Sequence, residues 1–282
     1  MLAFRGFRRI VSTALACSAV LLAASGATTP AHAGQPAALK VCTTGDYKPL
    51  TFRDAATGEY SGIDIDMARD LAAHLGRRAQ FVPTTWPTLM NDLAVQGKCD
   101  IAMGGVSITA ERREQADFTD PYLTDGKVPL VRSEDVDRYR TLDQINRKDV
   151  RVIVNPGGTN EKFVREHLPD ATVTVWKDNA TVFDEIAAGR ADVMITDALE
   201  ARYQSGQHPG LAPVHPDRPF TVVEKAYMLP KNSPLTEQAD DWLATAVSDG
   251  TFQAYYDRWM ASSRMERTAV AAESSAVVSA KR

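Results

Sequence analysis

Three short stretches of this sequence carry residues that could bind or transform an acidic small molecule. Asn155-Pro156-Gly157-Gly158-Thr159 follows an apolar run from Val150 to Val154 and precedes a helical pattern through Phe163, Val164 and Leu168. A glycine loop between strand and helix presents backbone N–H groups at the positive end of the helix dipole, which suits a carboxylate or a phosphate. The same loop also reads as an ordinary strand-to-helix turn. In Thr109-Ala110-Glu111-Arg112 the guanidinium of Arg112 could grip a carboxylate through paired hydrogen bonds. Its alternative is a solvated helix start, with Arg112 and Arg113 facing water. Glu200 lies just past a strand, between Ala198-Leu199 and Ala201. A carboxylic acid with apolar neighbours near a crevice keeps its proton to higher pH than a solvated one and can serve as a general acid. Here the alternative is a helix-start charge. Asp197, three residues earlier and near the same strand end, is the next candidate acid.

Other chemistries lack their residues. There is no G-x-S-x-G, H-E-x-x-H, C-x-x-C or P-loop pattern. His74, His167, His208 and His215 are scattered, as surface histidines are, so no metal and no cofactor are expected. A net charge of −4 over 282 residues gives no reason to expect nucleic acid as a partner.

The elements that must position these residues alternate between strand and helix. Leu39 to Thr43, Gln80 to Pro83 and Asp100 to Met103 read as strands. Ile63, Met67, Leu71 and Leu75 recur at helical spacing, with Gly76 closing that helix. Trp86-Pro87 is expected to open a second helix, with Leu89, Met90 and Leu93 inward and Gly97 at its end. A similar series follows: strands at Val150 to Val154, Thr172 to Trp176 and Asp192 to Ile195, and a helix through Val182, Phe183 and Ile186 that Asn179 could cap. Gly97-Lys98-Cys99-Asp100-Ile101 and Gly189-Arg190-Ala191-Asp192-Val193 match at corresponding helix-to-strand junctions. Tyr227 to Pro230 is one more strand, and Trp242, Leu243, Ala246 and Val247 mark the inner face of a closing helix. The expected fold class is therefore α/β, with two lobes of helix-covered parallel sheet and a ligand crevice at their strand C-termini.

The ends and the cysteines bound the compartment. Arg5, Arg8 and Arg9 precede an apolar run from Ala14 to Ala24, and Ala31-His32-Ala33 is a small-x-small cleavage site. Residues 1–33 thus read as an export signal, cut after Ala33, with no stable membrane insertion afterwards. A lipoprotein site at Cys17 and a twin-arginine signal at Arg8-Arg9 fit less well, because most of the apolar run follows Cys17 and paired arginines are common in such regions. Loss of three arginines and no acids from −4 leaves the mature chain at −7. A periplasmic or secreted location permits a bridge between Cys42 and Cys99. With Cys42 in mid-strand and Cys99 at a strand start, the register instead favours two separate buried thiols. Residues 262–282 mix alanine, serine and valine with charges and read as a disordered tail.

From residue 34 to about Trp259 the chain resembles the solute-binding protein family that captures polar amino acids. Gly62-Ile63-Asp64-Ile65-Asp66, Asp100-Ile101-Ala102-Met103, Thr109-Ala110-Glu111-Arg112 and Asp117-Phe118-Thr119-Asp120-Pro121-Tyr122 carry that resemblance. Within the family it is most similar to the periplasmic cyclohexadienyl dehydratases. Thr43-Thr44-Gly45-Asp46-Tyr47-Lys48-Pro49, Asp125-Gly126-Lys127, the run from Val154 to Phe163, Thr196-Asp197-Ala198-Leu199-Glu200-Ala201-Arg202 and Glu224-Lys225-Ala226-Tyr227 carry the narrower match.

The resemblance implies a two-lobed periplasmic-binding-protein-like (type II) fold. Lobe one would comprise residues 34–129 and 224–261 and lobe two residues 130–223, with chain crossings near Leu130 and Val223. It implies a small-molecule substrate, prephenate or arogenate, and decarboxylating dehydration to phenylpyruvate or phenylalanine. Glu200 would be the general acid, Arg112 the carboxylate anchor, and Lys127 and Asn155 cleft residues around the ring. Tyr47 and Trp86 would form aromatic walls, the Gly158–Thr159 helix start would hold a carboxylate, and Ser107 and Asp197 would complete the site. Gly104, Thr88, Cys42 and Cys99 depart from the pattern and bear on substrate preference. The alternative function is an amino-acid receptor that serves an ABC transporter.

Overall fold

The computed structural model describes residues 36–262, so the export signal and almost all of the expected tail lie outside the described residues. The chain opens with β1 (Ala38–Thr43), a three-stranded meander of β2 (Asp46–Tyr47), β3 (Thr51–Arg53) and β4 (Tyr60–Ser61), and α1 (Ile63–His74). There follow β5 (Arg78–Pro83), β6 (Ile101–Ala102), α2 (Ala110–Gln115), β7 (Ala116–Phe118) and β8 (Leu123–Asp125). The second series is β9 (Lys127–Arg132), α3 (Leu142–Ile145), β10 (Arg151–Val154), α4 (Thr159–His167), β11 (Thr172–Val175), α5 (Val182–Ala187), β12 (Val193–Asp197), α6 (Ala198–Gln207) and β13 (Leu211–Pro213). The chain then returns through β14 (Val223–Lys225), β15 (Met228–Pro230) and α7 (Leu235–Ser248).

These strands form two five-stranded sheets of matching design, in the orders β5-β1-β6-β15-β7 and β11-β10-β12-β9-β13. In each, three parallel strands are followed by an antiparallel one. The inner strands β10 and β12 are covered on both faces and so are apolar along most of their length rather than alternating, while the edge strands β5 and β11 stay largely exposed. Leu39, Val41 and Cys42 of β1 are all buried, as are Val152, Ile153 and Val154 of β10. In α1, Ile63, Met67 and Leu71 fall on one face and are buried against the first sheet together with Trp242 and Leu243 of α7. Each such side chain contributes on the order of 1.5–3 kcal/mol, and Leu71→Ala would cost roughly 2–5 kcal/mol through the cavity it leaves.

Several sequence expectations are corrected. The stretch after Trp86-Pro87 begins as a turn, and its helical part from Asn91 to Val95 is a π-helix. Hydroxyls compete with helix geometry here: Thr84 and Thr88 both donate to the Asp92 carboxylate, at 2.6 and 3.0 Å. Asn179 caps no helix. The N-cap of α5 is Thr181, without a side-chain bond, and Asn179 Nδ2 instead donates to the Asp46 carbonyl at 2.8 Å. Val247 points outward from α7 at 49% exposure.

Cys42 and Cys99 are joined in a disulfide with Cα atoms 5.6 Å apart. The argument from strand register fails because Cys99 precedes β6, which spans only Ile101–Ala102, so its backbone is free to curl towards β1. Finally, β9 begins at Lys127 and lies wholly in the second sheet, so Lys127, Val128 and Pro129 pair with that sheet rather than the first. The two passages of chain between the sheets run side by side, as β8 pairs antiparallel with β14.

Candidate active site

The C-terminal ends of the parallel strands converge. Beyond β1 lies Tyr47, beyond β6 lie Gly105 and Ser107, beyond β10 lies Asn155, and β12 ends on Asp197 with Glu200 one turn into α6. Together they bound a small cavity of about 20 Å³, with Trp86 as an aromatic wall and Arg112 at one side. Tyr47 and Trp86 meet edge to face, with centroids 5.9 Å apart. Gly105 has φ +73°, and a Cβ there would lie 2.3 Å from the Tyr47 ring, so only glycine allows this close approach.

Asp197 organises the floor. Its Oδ1 accepts from Lys127 Nζ at 2.7 Å, and its Oδ2 accepts from Lys225 Nζ at 2.6 Å and from the Tyr47 hydroxyl at 2.7 Å. Burial opposes its ionisation, but the two ammonium groups win and hold this carboxyl well below the usual carboxylate range. Lys225 also donates to Ser107 Oγ at 2.9 Å, and the Ser107 carbonyl accepts from Arg112 Nη1 at 2.8 Å. Among the described residues Arg112 makes no ion pair, so its guanidinium is available at the cavity edge.

Lys127 is expected beside a substrate ring but is placed behind the floor. Its ammonium donates to Thr159 Oγ1 at 2.8 Å, to Asn160 Oδ1 and to Asp197, which uses all three protons, and it is not among the residues that bound the cavity. The cause is register, because Lys127 and Asp197 are direct cross-strand partners of β9 and β12. Lys225, which the sequence offers within Glu224-Lys225-Ala226-Tyr227 without a site role, faces the cavity instead. A lysine at the head of the apolar run Ala226-Tyr227-Met228-Leu229 was the available signal.

Glu200 is fully buried. Its Oε2 accepts from the Thr196 hydroxyl, while its Oε1 is buried without a partner. Loss of solvent is the main cause that pushes this carboxyl well above the usual range, and the Asp197 charge adds to it. Asn160 ties the rest together, as its Nδ2 donates to Asn155 Oδ1 at 3.1 Å and to Thr196 Oγ1 at 3.3 Å. Gly158 is the N-cap of α4, so that helix start and Thr159 also face the cavity. The arrangement brings together every residue expected at the site except the Lys127 ammonium. It offers a buried carboxyl raised above its usual range with one bare oxygen, an unpaired guanidinium, an ammonium and a helix N-terminus. Such a set can hold an acidic molecule and deliver a proton to it.

The two sheets close over this cavity through side chains from both. Besides Tyr47 to Asp197 and Asn179 to Asp46, Lys162 of α4 donates to Glu111 of α2.

The family model for bacterial extracellular solute-binding proteins, family 3, matches residues 39–262. A curated cyclohexadienyl dehydratase of Pseudomonas aeruginosa is 46% identical over 259 residues, covering 91% of this chain and 96% of that protein. The L-cystine-binding protein of Escherichia coli K12 is 29% identical over 78% of this chain and 82% of its own. Among solved structures, an ancestral amino acid-binding protein, described as a precursor of cyclohexadienyl dehydratase, aligns with a TM-score of 0.72 at 38% identity, covering 79% of this chain and 95% of that one.

Proposed function

The chain belongs to the bacterial extracellular solute-binding proteins, family 3, and from that membership we propose that it is an exported enzyme, a lyase that converts prephenate to phenylpyruvate or arogenate to phenylalanine. The observation that carries this reading is Glu200: a fully buried carboxylic acid at the cavity wall with one oxygen unpartnered. The 46% identity to a cyclohexadienyl dehydratase supports it further.

The reaction balances as prephenate dianion plus a proton giving phenylpyruvate anion, carbon dioxide and water. The ring C–CO₂ bond breaks and its electron pair becomes a ring double bond, while the C–O bond to the 4-hydroxyl breaks with its pair leaving on oxygen. Hydroxide leaves poorly, so protonation as the bond breaks is the chemical need, typically worth ~10²–10⁴-fold. Glu200 supplies that proton and recovers one from solvent after product leaves. Arg112 and the Gly158–Thr159 helix start hold a carboxylate, and Tyr47 and Trp86 pack the ring. Lys127 acts through Asp197 and Thr159 by fixing the floor. The hinge in this reading is the β8–β14 ladder, with lobe one formed by residues 34–129 and 224–261 and lobe two by 130–223, save that Lys127 to Pro129 join lobe two. Residues 1–33 serve as the export signal.

Purified mature protein mixed with prephenate tests the proposal. Phenylpyruvate that accumulates beyond the protein concentration supports it. Saturable binding without product would make the chain a receptor instead.

A further inference from the structure

A buried chain of hydrogen bonds ends on Glu200, and its direction is set at the far end by a group that can only donate. The Lys127 ammonium has no lone pair, so the Asn160 side chain must turn its Oδ1 towards it. That choice fixes the other end of the amide. Asn160 Nδ2 donates to Asn155 Oδ1 at 3.1 Å and to Thr196 Oγ1 at 3.3 Å. An amide N–H accepts nothing, so the single hydroxyl hydrogen of Thr196 goes to Glu200 Oε2. Thr196 and Glu200 are fully buried, and Lys127 and Asn160 nearly so, which keeps every link of the chain in low dielectric where its polarity holds.

This direction decides where a proton on Glu200 stands. In a protonated carboxyl group the carbonyl oxygen is the better acceptor, so the oxygen that receives the Thr196 hydrogen bond is the carbonyl and the proton sits on the other. That other oxygen is Oε1, which has no partner in the protein. In a chain that ran the opposite way, the carboxyl would donate to Thr196 and its proton would be held inside the protein. Thr196 also bears on the transfer itself. As the O–H bond at Oε1 breaks, its electron pair stays on the carboxylate, the proton joins the departing 4-hydroxyl oxygen, and negative charge spreads onto Oε2. The bond from Thr196 strengthens at that moment, because hydrogen bonds to a charged acceptor are stronger than those to a neutral one.

We propose that Thr196 is a positioning residue for the proton of Glu200: its hydroxyl, aligned by Lys127 through Asn160, keeps that proton on Oε1 and steadies the carboxylate as the proton leaves. The transfer to substrate rests on the dehydratase reading above; the placement of the proton is a property of the protein by itself.

The test has a kinetic and a spectroscopic arm. Thr196→Val keeps the shape of the side chain and removes the hydroxyl. Its kcat for prephenate should fall ~10-fold or more, with the Kd for phenylpyruvate within about twofold of the parent, because the lost bond matters most as the carboxylate forms. Thr196→Ser keeps the hydroxyl and should recover most of that loss. In Thr196→Val the alkaline limb of kcat against pH should also move up by about one pH unit, because the missing bond favoured the ionised carboxyl. A loss of structure alone lowers kcat without moving this limb. That result, or a kcat within about twofold of the parent, would overturn the proposal. The infrared difference spectrum of the parent against Glu200→Gln needs neither turnover nor a folded valine variant. The carboxylic acid C=O band that disappears with Glu200 should lie at the lower wavenumber of a hydrogen-bonded carbonyl. A band at the position of a free carbonyl, or no such band at neutral pH, sinks the proposal. If no phenylpyruvate forms at all, the dehydratase reading fails by itself, and the infrared band still decides where the proton stands.

Discussion

As the proposed general acid, Glu200 has two opposed requirements to meet. It must hold a proton at neutral pH, which calls for burial, and it must reach a substrate, which calls for a bare oxygen; Oε2 on Thr196 and Oε1 unpartnered meet both. Glu200→Gln keeps the shape and an N–H donor but has no proton to give. We expect kcat to fall ~10²-fold or more with the Kd for phenylpyruvate little changed; steady-state kinetics beside calorimetry checks this. Activity within a few-fold of the parent would move the acid role to another group. Arg112→Ala should weaken substrate binding far more than it lowers thermal stability, because among the described residues its guanidinium bonds only the Ser107 carbonyl. A variant that binds normally returns Arg112 to a solvated role.

Asp64 makes a separate pH prediction. It is buried beneath the site, where it accepts from Gly105 N–H at 2.7 Å and from the hydroxyls of Tyr122 and Tyr227 at 2.6 and 3.1 Å. Burial pushes its carboxyl up to about 6. The folded state therefore keeps the proton longer than the unfolded chain does. This contribution to stability is full below about pH 4 and falls as pH rises through about 6, by roughly 3 kcal/mol. Asp197 and Asp192 are shifted downward and act with the opposite sign, losing stability as pH falls. The difference between denaturant titrations of the parent and of Asp64→Asn, taken from pH 4 to 7, isolates the Asp64 slope. No difference in slope would remove Asp64 from this role.

Among the elements, the loop from β10 into α4 does most to form the site. It supplies Asn155 and the Gly158–Thr159 helix start, and its Gly157 faces Pro87 across the cleft. Gly157 has φ +72°, and a Cβ would come within 2.4 Å of the Pro87 ring. Gly157→Ala should therefore act twice. The left-handed backbone costs about 1 kcal/mol of stability. The clash also props the cleft open, which should raise the Kd for phenylpyruvate by an order of magnitude or more, since closure is what completes the cavity. Differential scanning calorimetry and titration calorimetry separate the two effects. Unchanged affinity would mean that Pro87 yields.

Over the whole molecule, two similar sheets joined by the β8–β14 ladder make a cleft whose closed form is stabilised by contacts from both sides. The first sheet carries an added constraint, the Cys42–Cys99 disulfide, which closes a loop of 57 residues' separation. Chain entropy gives such a link on the order of 2–4 kcal/mol. The Cys42→Ala, Cys99→Ala double variant should unfold at correspondingly lower denaturant, and reduction of the parent should move its midpoint in the same direction. Equal midpoints with and without reductant would show that the bridge contributes nothing.

Much of this was determined by sequence alone. Apolar runs separated by helical spacing specify alternating strands and helices, because each period suits one backbone geometry, and parallel strands put their C-termini at a crevice. That places Asn155, Asp197 and Glu200 near one crevice, whereas Tyr47 and Ser107 came in only through the family resemblance. Local reading failed where the answer depended on what lies across a strand or a cleft. Whether Lys127 faces ligand or floor depends on its pairing with Asp197, a contact between residues seventy positions apart. Asn179 left its helix for the Asp46 carbonyl at a separation of 133 residues. The cysteine bridge depended on where a two-residue strand begins. Lys225 became a site residue only because the returning chain carries it to Ser107 and Asp197. Side-chain period is local and is written in the sequence, whereas the partner of a buried charge is set by register and closure, which only the folded chain has.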